Sequence, residues 1–179
     1  MKNILMIDLE TTGTRAGCRV LTLGAFGFDT HCRQVEFYTH FNIKDQVGLF
    51  DEASTMEWWS RQAADVRDEA FAGAENTVDG IVDFLTFFEN HFSTERGSNF
   101  QVWSCGIDFD MTVLKELFKV FGHVLPWPFW CQYDYRTIKN LFPCAKAAEA
   151  NIDKHNSLED AKAQMRGLRS FYKTFIEKA

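Results

Sequence analysis

This sequence of 179 residues lacks closely paired cysteines, and its five cysteines are irregularly spaced. No two cysteines form a C-x2-C pair, which argues against a structural zinc site. Their odd number and scattered positions also argue against a framework of disulfides. The five residues are Cys18, Cys32, Cys105, Cys131 and Cys144. We therefore expect a reducing, cytoplasmic environment.

Long apolar runs and low-complexity segments are also missing. No window approaches the roughly eighteen consecutive apolar residues of a membrane span, and no basic segment before an apolar stretch indicates a secretion signal. We expect no membrane contact. The sequence has only 3 prolines, no internal repeat and no Gly/Ser-rich linker. Its length fits a domain of ordinary size, so we predict a single domain over residues 1–179.

Positive charge is in deficit, with 19 Lys and Arg against 25 Asp and Glu and a net charge of −6 at pH 7. This balance argues against a protein that binds nucleic acid through a broad basic surface, because that mode needs many contacts from Lys and Arg to phosphates. It does not exclude an enzyme with bound metal ions. A site made of carboxylates makes the formal charge more negative, and its metal ions restore positive charge where phosphate must lie.

Segments rich in β-branched and aromatic residues predict four strands. The first lies in ILMIDLETTGT (Ile4–Thr14), an apolar run that ends at a Gly break. The next two, Arg19–Asp29 and Arg33–Asn42, are close enough to predict a hairpin. An inner strand is predicted at Phe100–Ser104, after a Gly-Ser-Asn break.

Helical signals follow the opening strands. Ser54 with Glu57 three residues later is typical of a capping box, so STMEWWSRQ predicts a helix start. Apolar residues with helical spacing predict three more helices, one from Thr77, one over Asp108–Phe121 and one with Ser157 as its N-cap.

The segments Leu125–Trp130 and Pro143–Asn156 are predicted to be loops. Strands first, and strand-helix units later, favour an α/β fold in which a mixed sheet is flanked by helices.

Two acids interrupt the first strand. Asp8 and Glu10 are two positions apart, so in a strand their side chains point to the same face and repel each other. A buried strand carries such charges only when a cation neutralises them. The sequence leaves two candidates open, a bound divalent metal ion and a Lys or Arg from elsewhere in the fold.

Polar residues cluster in four segments: DLE with Asp8 and Glu10, WSCGIDFDMTVL with Asp108 and Asp110, YDYRT with Asp134, and HNSLEDA with His155 and Asp160. Their order, with TTG after the first pair and His-x4-Asp at the end, resembles the DEDDh (DnaQ-like) 3′→5′ exonucleases of the ribonuclease H-like superfamily. The resemblance extends from Ile4 to about Phe171. It implies one exonuclease domain with a ribonuclease H-like mixed β-sheet flanked by α-helices.

The resemblance also implies a role for each residue of the pattern. Two Mg²⁺ or Mn²⁺ ions, which prefer oxygen ligands, would be held by four carboxylates: Asp8, Glu10, Asp110 and Asp160. His155 would take the proton from the attacking water. Thr11, Thr12 and Gly13 would contact the 3′-terminal nucleotide, with Gly13 allowing a close approach of the backbone. The products would be 5′-mononucleotides.

The segment STMEWWSRQAADVRDEAF resembles phage exodeoxyribonucleases such as exonuclease A of T-even phages. We therefore expect the partner to be nucleic acid, specifically the 3′ ends of single-stranded DNA, and a host cytoplasm for a phage-encoded chain. An exoribonuclease is the main alternative, because the same metal site cuts both polymers and the choice depends on contacts to the 2′-OH. A non-catalytic nucleic-acid-binding domain is a second alternative.

Several of these residues have structural explanations that the sequence leaves open. Asp160 fits the N3 position of a helix cap begun by Ser157. Asp134 fits a turn or salt bridge at a strand end. Trp58 and Trp59 lie about 100° apart on a helix, so at least one is expected in the core, whereas the other can stack on a base.

The segment GIDFDM contains two acids, which helical geometry separates. Asp110 shares an apolar face with Leu114 and Leu117, whereas Asp108 falls on the solvent face and suits an N-cap. We predict that Asp110→Asn abolishes cleavage by weakening metal binding, and that Asp108→Asn keeps most of the activity. Nuclease rates and Mn²⁺ affinities of both variants test this. An inactive Asp108→Asn beside an active Asp110→Asn contradicts the assignment.

Overall fold

A mixed five-stranded sheet forms the centre of the structure, a computed structural model that describes residues 1–149 and 155–177. The strands are β1 (Ile4–Thr11), β2 (Val20–Phe28), β3 (Gln34–His40), β4 (Gln101–Ser104) and β5 (Gln132–Asp134). Their order is β3-β2-β1-β4-β5. The central strand β1 pairs antiparallel with β2 and parallel with β4. The predicted hairpin and inner strand are confirmed.

Helices flank this sheet, which confirms the predicted fold class. They are α1 (Ala53–Ser60), α2 (Ala64–Ala70), α3 (Thr77–His91), α4 (Ile107–Val120), α5 (Tyr135–Leu141), α6 (Pro143–Ala148) and α7 (Ser157–Phe175). A short 3-10 helix covers Phe129–Cys131. Across the part of the chain that the structure describes, we find no helix with the length and apolar character to cross a membrane.

Helix α6 replaces the first half of a predicted loop. The segment was expected to be irregular from Pro143 to Asn156, but residues 143–148 are helical. Pro at the first helical position is favourable because its φ is already helical and its missing N–H would have no partner there. Ala145 is fully buried in the core beneath α7. Positions 150–154 of the predicted loop lie outside the described residues.

Side chains of β1 alternate between two cores, one on each face of the sheet. Leu5 and Ile7 pack in the core that includes α3 and α4. Ile4 and Met6 pack in the core that includes α7. By the same alternation, the two acids of β1 point to the face that α7 covers.

The starts of α1 and α4 lie before the predicted caps. Helix α1 follows Glu52, whose carboxylate accepts a 2.8 Å hydrogen bond from the backbone N–H of Thr14 instead of capping the helix. Ser54 lies inside α1, so the predicted capping box is wrong. Helix α4 follows Gly106, whose φ of 119° favours glycine. Asp108 is therefore not the cap, although it lies exposed in the first turn as predicted.

Helix α7 begins after Asn156, one residue before the predicted cap Ser157. The Asn156 Oδ1 atom accepts hydrogen bonds of 3.1 Å from the backbone N–H groups of Leu158 and Glu159. Ser157 is buried, and its hydroxyl lies 2.8 Å from that of Thr22 on β2. Asn and Ser are about equally good caps. The contact with β2, which is not visible in the local sequence, decides between them.

The close approach of α7 to the sheet depends on Gly24, which pairs with Asp8 across β1 and β2. A Cβ atom at this position would lie 2.2 Å from the backbone nitrogen of Leu158 and from the carbonyl carbon of Ser157. No real side chain fits at that distance. The first turn of α7 therefore rests on β2 beside Asp8.

We predict that Gly24→Ala lowers the free energy of unfolding by about 3 kcal/mol, because the added methyl group meets rigid backbone. Urea unfolding measures this loss. Gly48→Ala is the matched control, since Gly48 has a φ of 93° but no atom within 4 Å of a built Cβ. That control should lose only about 1 kcal/mol from backbone strain. Equal losses in both variants would contradict crowding at Gly24.

Candidate active site

Three carboxylates from the two ends of the chain meet above β1. The nearest oxygen atoms of Asp8, Glu10 and Asp160 all lie within 4.8 Å of one another. Asp8 and Glu10 belong to the last half of β1, and Asp160 belongs to the first turn of α7. The helix can bring its acid this close because Gly24 leaves room for its first turn.

Asp110 lies next to this group but outside the 4.8 Å cluster. It is buried in the first turn of α4, on the same face as the buried Leu114 and Leu117. Its charge acts on the carboxyl of Asp8. Asp108, in contrast, is exposed. The structure thus turns Asp110 towards the acids of β1 and Asp108 towards solvent.

The acids stabilise one another's protonated forms. Burial raises the pKa of Asp8 well above its ordinary value, and the charges of Asp110, Glu10 and Asp160 raise it further. Burial and neighbouring carboxylates raise the pKa of Glu10 to about 8. Burial raises the pKa of Asp110 to about 7, although nearby hydrogen-bond donors oppose the shift. Burial also raises the pKa of Asp160.

No Lys or Arg within residues 1–149 and 155–177 forms an ion pair with any of these four acids. The partner of Asp8 is instead neutral, since Gln164 Nε2 donates a 2.7 Å hydrogen bond to Asp8 Oδ1. The sequence left two candidate cations open, a basic side chain and a metal ion. The described residues do not provide the basic side chain. The arrangement is a set of hard oxygen ligands with unbalanced negative charge, which suits Mg²⁺ or Mn²⁺.

His155 lies just before α7, with its backbone tied to the carboxylate group. Its N–H donates a 3.1 Å hydrogen bond to Asp160 Oδ2. Its φ of 73° is a left-handed conformation that residues other than glycine rarely adopt. The imidazole packs edge-on against Trp58, with ring centroids 4.8 Å apart, and 6.3 Å from the centroid of Trp59. These contacts fix the ring beside Asp160.

A pocket of about 440 Å³ opens beside Glu10. Trp59 is buried and donates its indole N–H to the carbonyl of Thr11 at 2.9 Å, whereas Trp58 is 39% exposed. The expectation that at least one of the two tryptophans lies in the core is confirmed. The pocket is lined by Leu9, Glu10, Thr11, Gly13, Thr14, Ser54, Thr55, Trp58, Trp59 and Phe109.

Of the three residues expected to contact the substrate, two line this pocket and one does not. Thr11 and Gly13 line the pocket. Thr12 does not line it, because its side chain is fully buried and its hydroxyl lies 3.3 Å from the carbonyl of Phe50. A Cβ on Gly13 would lie 2.7 Å from the Cβ of Cys18, so packing within the protein is sufficient to require glycine there.

Asp134 has a structural role in this arrangement. Its carboxylate caps α5 by accepting hydrogen bonds from the backbone N–H groups of Arg136 and Thr137. It also accepts one from the N–H of Gly106, just before α4, at 3.1 Å. Of the two structural roles that the sequence left open for Asp134, a turn at a strand end and a salt bridge, the structure supports the turn, since Asp134 is the last residue of β5.

Sequence reasoning missed two kinds of residue at the site. Gln164 lies one helical turn after Asp160, so its position on the acidic face of α7 was available from the helical spacing. The side chains of Tyr38, His40 and Glu69 approach the site from β3 and α2. Tyr38 and His40 belong to no motif of the resemblance, and Glu69 lies in the segment STMEWWSRQAADVRDEAF, whose sequence does not indicate a place beside the acids.

The family model of the 3′-5′ exoribonuclease Rv2179c-like domain matches residues 3–171. The chain belongs to this family. The Rv2179c-like match runs from β1 to α7 and so includes both ends of the carboxylate cluster. No curated protein sequence matches the chain significantly.

Solved nuclease structures share the fold of this Rv2179c-like domain. E. coli exonuclease I in complex with a dT13 oligonucleotide has a TM-score of 0.67 and 14% identity, over 99% of this chain and 42% of that one. The nuclease domain of 3′hExo, a DEDDh family member bound to rAMP, has a TM-score of 0.61 and 10% identity, over 96% and 91%. Exonuclease X in complex with 5′ overhanging duplex DNA has values of 0.58 and 15%, over 96% and 92%.

The chain thus spans less than half the length of exonuclease I. The shared fold confirms the predicted architecture of a mixed sheet flanked by helices. The family to which the chain belongs is described as a 3′-5′ exoribonuclease domain. The expected similarity to phage exodeoxyribonucleases stays a prediction.

We predict that Glu10→Gln stabilises the metal-free protein at pH about 8. The pKa of Glu10 rises from 4.5 to about 8 on folding, so the folded state favours the protonated acid. The protonated Glu10 carboxyl therefore contributes to the free energy of unfolding fully below pH about 4.5, and this contribution is lost as the pH rises towards 8. Thermal unfolding in EDTA should give the variant a Tm several degrees above wild type at pH about 8 and a smaller difference at pH about 5.

Added Mn²⁺ provides the control for this comparison. It should raise the Tm of the wild type more than that of the variant, because the variant lacks one anionic ligand. A variant that is less stable than wild type at pH about 8 without metal would contradict the electrostatic account.

Proposed function

We propose that this protein is a metal-dependent exonuclease that removes 5′-mononucleotides from the 3′ end of single-stranded nucleic acid. The observation that carries the proposal is the group of four acids, two buried and two half-buried, with no basic partner among the described residues. The group lies at the edge of a pocket beside His155. An acidic cluster alone has many explanations. Its combination with the exonuclease family match favours this one.

The metal ions fit the residues present. Asp8, Glu10 and Asp160 offer oxygen atoms within 4.8 Å of one another, and Asp110 lies beside Asp8. These four side chains would hold two Mg²⁺ or Mn²⁺ ions. When bound, such ions polarise the scissile phosphate and stabilise charge on the attacking and leaving oxygens.

His155 would act as the general base. A ring nitrogen of its imidazole can accept a proton from the attacking water. The bond from its backbone N–H to Asp160 ties this proton acceptor to the ligand group. Trp58 and Trp59 restrict the ring from the other side.

The terminal nucleotide would occupy the pocket beside Glu10. Trp58 is exposed enough to stack on a base, a contact that tolerates any sequence. Thr11 and Gly13 line the pocket wall where β1 ends, and their backbone would lie against the terminal sugar. Thr12 would act only by keeping this turn in place.

RNA is the substrate we propose first, because the matching family model is described as an exoribonuclease. DNA is the second candidate. It is favoured by the sequence of the segment from Ser54 onward, and two nucleases with this fold have DNA bound in their structures. The carboxylate group itself does not distinguish the two polymers, since the 2′-OH lies outside the reacting phosphate.

We predict a ladder of products that shortens from the 3′ end when a 5′-labelled single strand is incubated with the protein and Mg²⁺ or Mn²⁺. RNA and DNA of one sequence, each as single strand and duplex, should be compared by kcat/KM. Excess EDTA should abolish turnover, and Asp110→Asn provides the inactive control. Early release of the label as a mononucleotide would contradict the polarity. Full turnover in EDTA would refute the metal requirement, and faster cleavage of DNA would favour the second candidate.

A further inference from the structure

A polar bracket lies beside the active site, formed by Tyr38 and His40 of β3 and Glu69 of α2. The Tyr38 hydroxyl donates a hydrogen bond to Glu69 Oε1, and His40 Nε2 lies 3.0 Å from the same oxygen. Tyr38 and His40 are two positions apart on β3, so their rings share one face of the sheet and lie 4.7 Å apart. The bracket therefore presents one carboxylate oxygen surrounded by donors.

The bracket holds Asn156. The Asn156 Nδ2 atom donates to Glu69 Oε1 at 3.0 Å and lies 3.1 Å from the Tyr38 hydroxyl. Its Oδ1 atom caps α7 at the same time. Capping needs only an acceptor, which Asp or Ser supplies equally well. The amide donor of Asn is the part that only the bracket uses.

Asn156 directly follows His155, whose left-handed backbone is unfavourable for a side chain with a Cβ. Such a conformation persists only where its surroundings hold it. On one side the N–H of His155 is bound to Asp160. On the other side the next residue is bound by the bracket. The two attachments together set the direction in which the imidazole points.

We propose that Glu69, with Tyr38 and His40, is a positioning residue that fixes His155 through Asn156. The inference rests on the proposed role of His155 as proton acceptor. Glu69 does not act on substrate in this scheme. It acts on the orientation of the ring, and a displacement of about 1 Å at such a group lowers rates by up to about 10²-fold.

Glu69→Ala should lower kcat by about 10- to 100-fold while KM and Mn²⁺ affinity stay within about twofold of wild type. Glu75→Ala is the matched control. Glu75 also accepts a hydrogen bond from β3, from the hydroxyl of Thr39, but neighbouring residues of a strand point to opposite faces. The control should change Tm about as much as Glu69→Ala and leave kcat unchanged. A loss of kcat in both variants, or in neither, overturns the proposal.

The charge of Glu69 also raises the pKa of Glu10, so Glu69 can affect the site without acting on the imidazole. Measuring Glu69→Ala in the His155→Ala background separates the two effects. Residues that act through one group are non-additive. Glu69→Ala should therefore cause no further loss of kcat once the imidazole is gone. An equal loss in both backgrounds would mean that Glu69 acts on the acids or on folding, and would overturn the proposal.

Exchanging the amide and the carboxylate between positions 69 and 156 tests the hydrogen bond between these two residues. Asn156→Asp keeps the cap but places a carboxylate against that of Glu69, so kcat should fall about 10-fold or more. Adding Glu69→Gln supplies an amide donor from the other side, and the double variant should recover most of the rate. A double variant as slow as Asn156→Asp alone contradicts the bracket.

One readout does not depend on nuclease activity. Nuclear Overhauser effects between the ring protons of His155 and the indole protons of Trp58 report the edge-on contact of 4.8 Å between centroids. They should be present in wild type and Glu75→Ala and weakened in Glu69→Ala. An unchanged effect in Glu69→Ala overturns the positioning role. A wild type without exonuclease activity but with this response would refute the proposed function alone.

Discussion

Repulsion among carboxylates confined to one buried volume is the constraint on which the rest of the structure depends. Burial and mutual charge shift the pKa of Glu10 to about 8, so the group is assembled against its own electrostatics when no cation is bound. The surrounding fold must be rigid enough to hold it. Gly24 allows the backbone of α7 to lie on the sheet, and Gln164 donates a hydrogen bond to Asp8 without supplying a positive charge.

The sheet explains why the acids arrive from several directions. Strand β1 lies in the middle of the sheet, with cores on both faces, and ends next to the starts of two helices. One acid comes from the first turn of α4 and another from the first turn of α7. Helix N-termini carry partial positive charge, which stabilises anions placed there. The fold therefore collects negative charge where its own dipoles offset part of the repulsion.

The sequence predicted β1 to β4, the four longest helices and the acids of the group, because these follow from spacing along one element. It did not predict β5, α2, α5 and α6, which are 3 to 7 residues long. Asp110 was separated from Asp108 by helical periodicity, with support from the resemblance, and the burial of the two side chains agrees. Caps were less predictable. Asn156 and Ser157 are both good caps, and only the contact of Ser157 with β2 selects between them. The bracket could not be predicted from local sequence patterns, because Glu69 and Asn156 are 87 residues apart and meet only in the folded chain.

The bond between Asp8 and Gln164 joins residues 156 positions apart. Closing a loop of that length is among the slower steps available to a folding chain. The central strand β1 precedes α7 in the chain, and its acids lack their helical counterpart until α7 has docked. A chain in which α7 has not docked consequently holds its carboxylates apart and has no assembled acidic centre. Docking of the last helix and assembly of the carboxylate group are thus the same event.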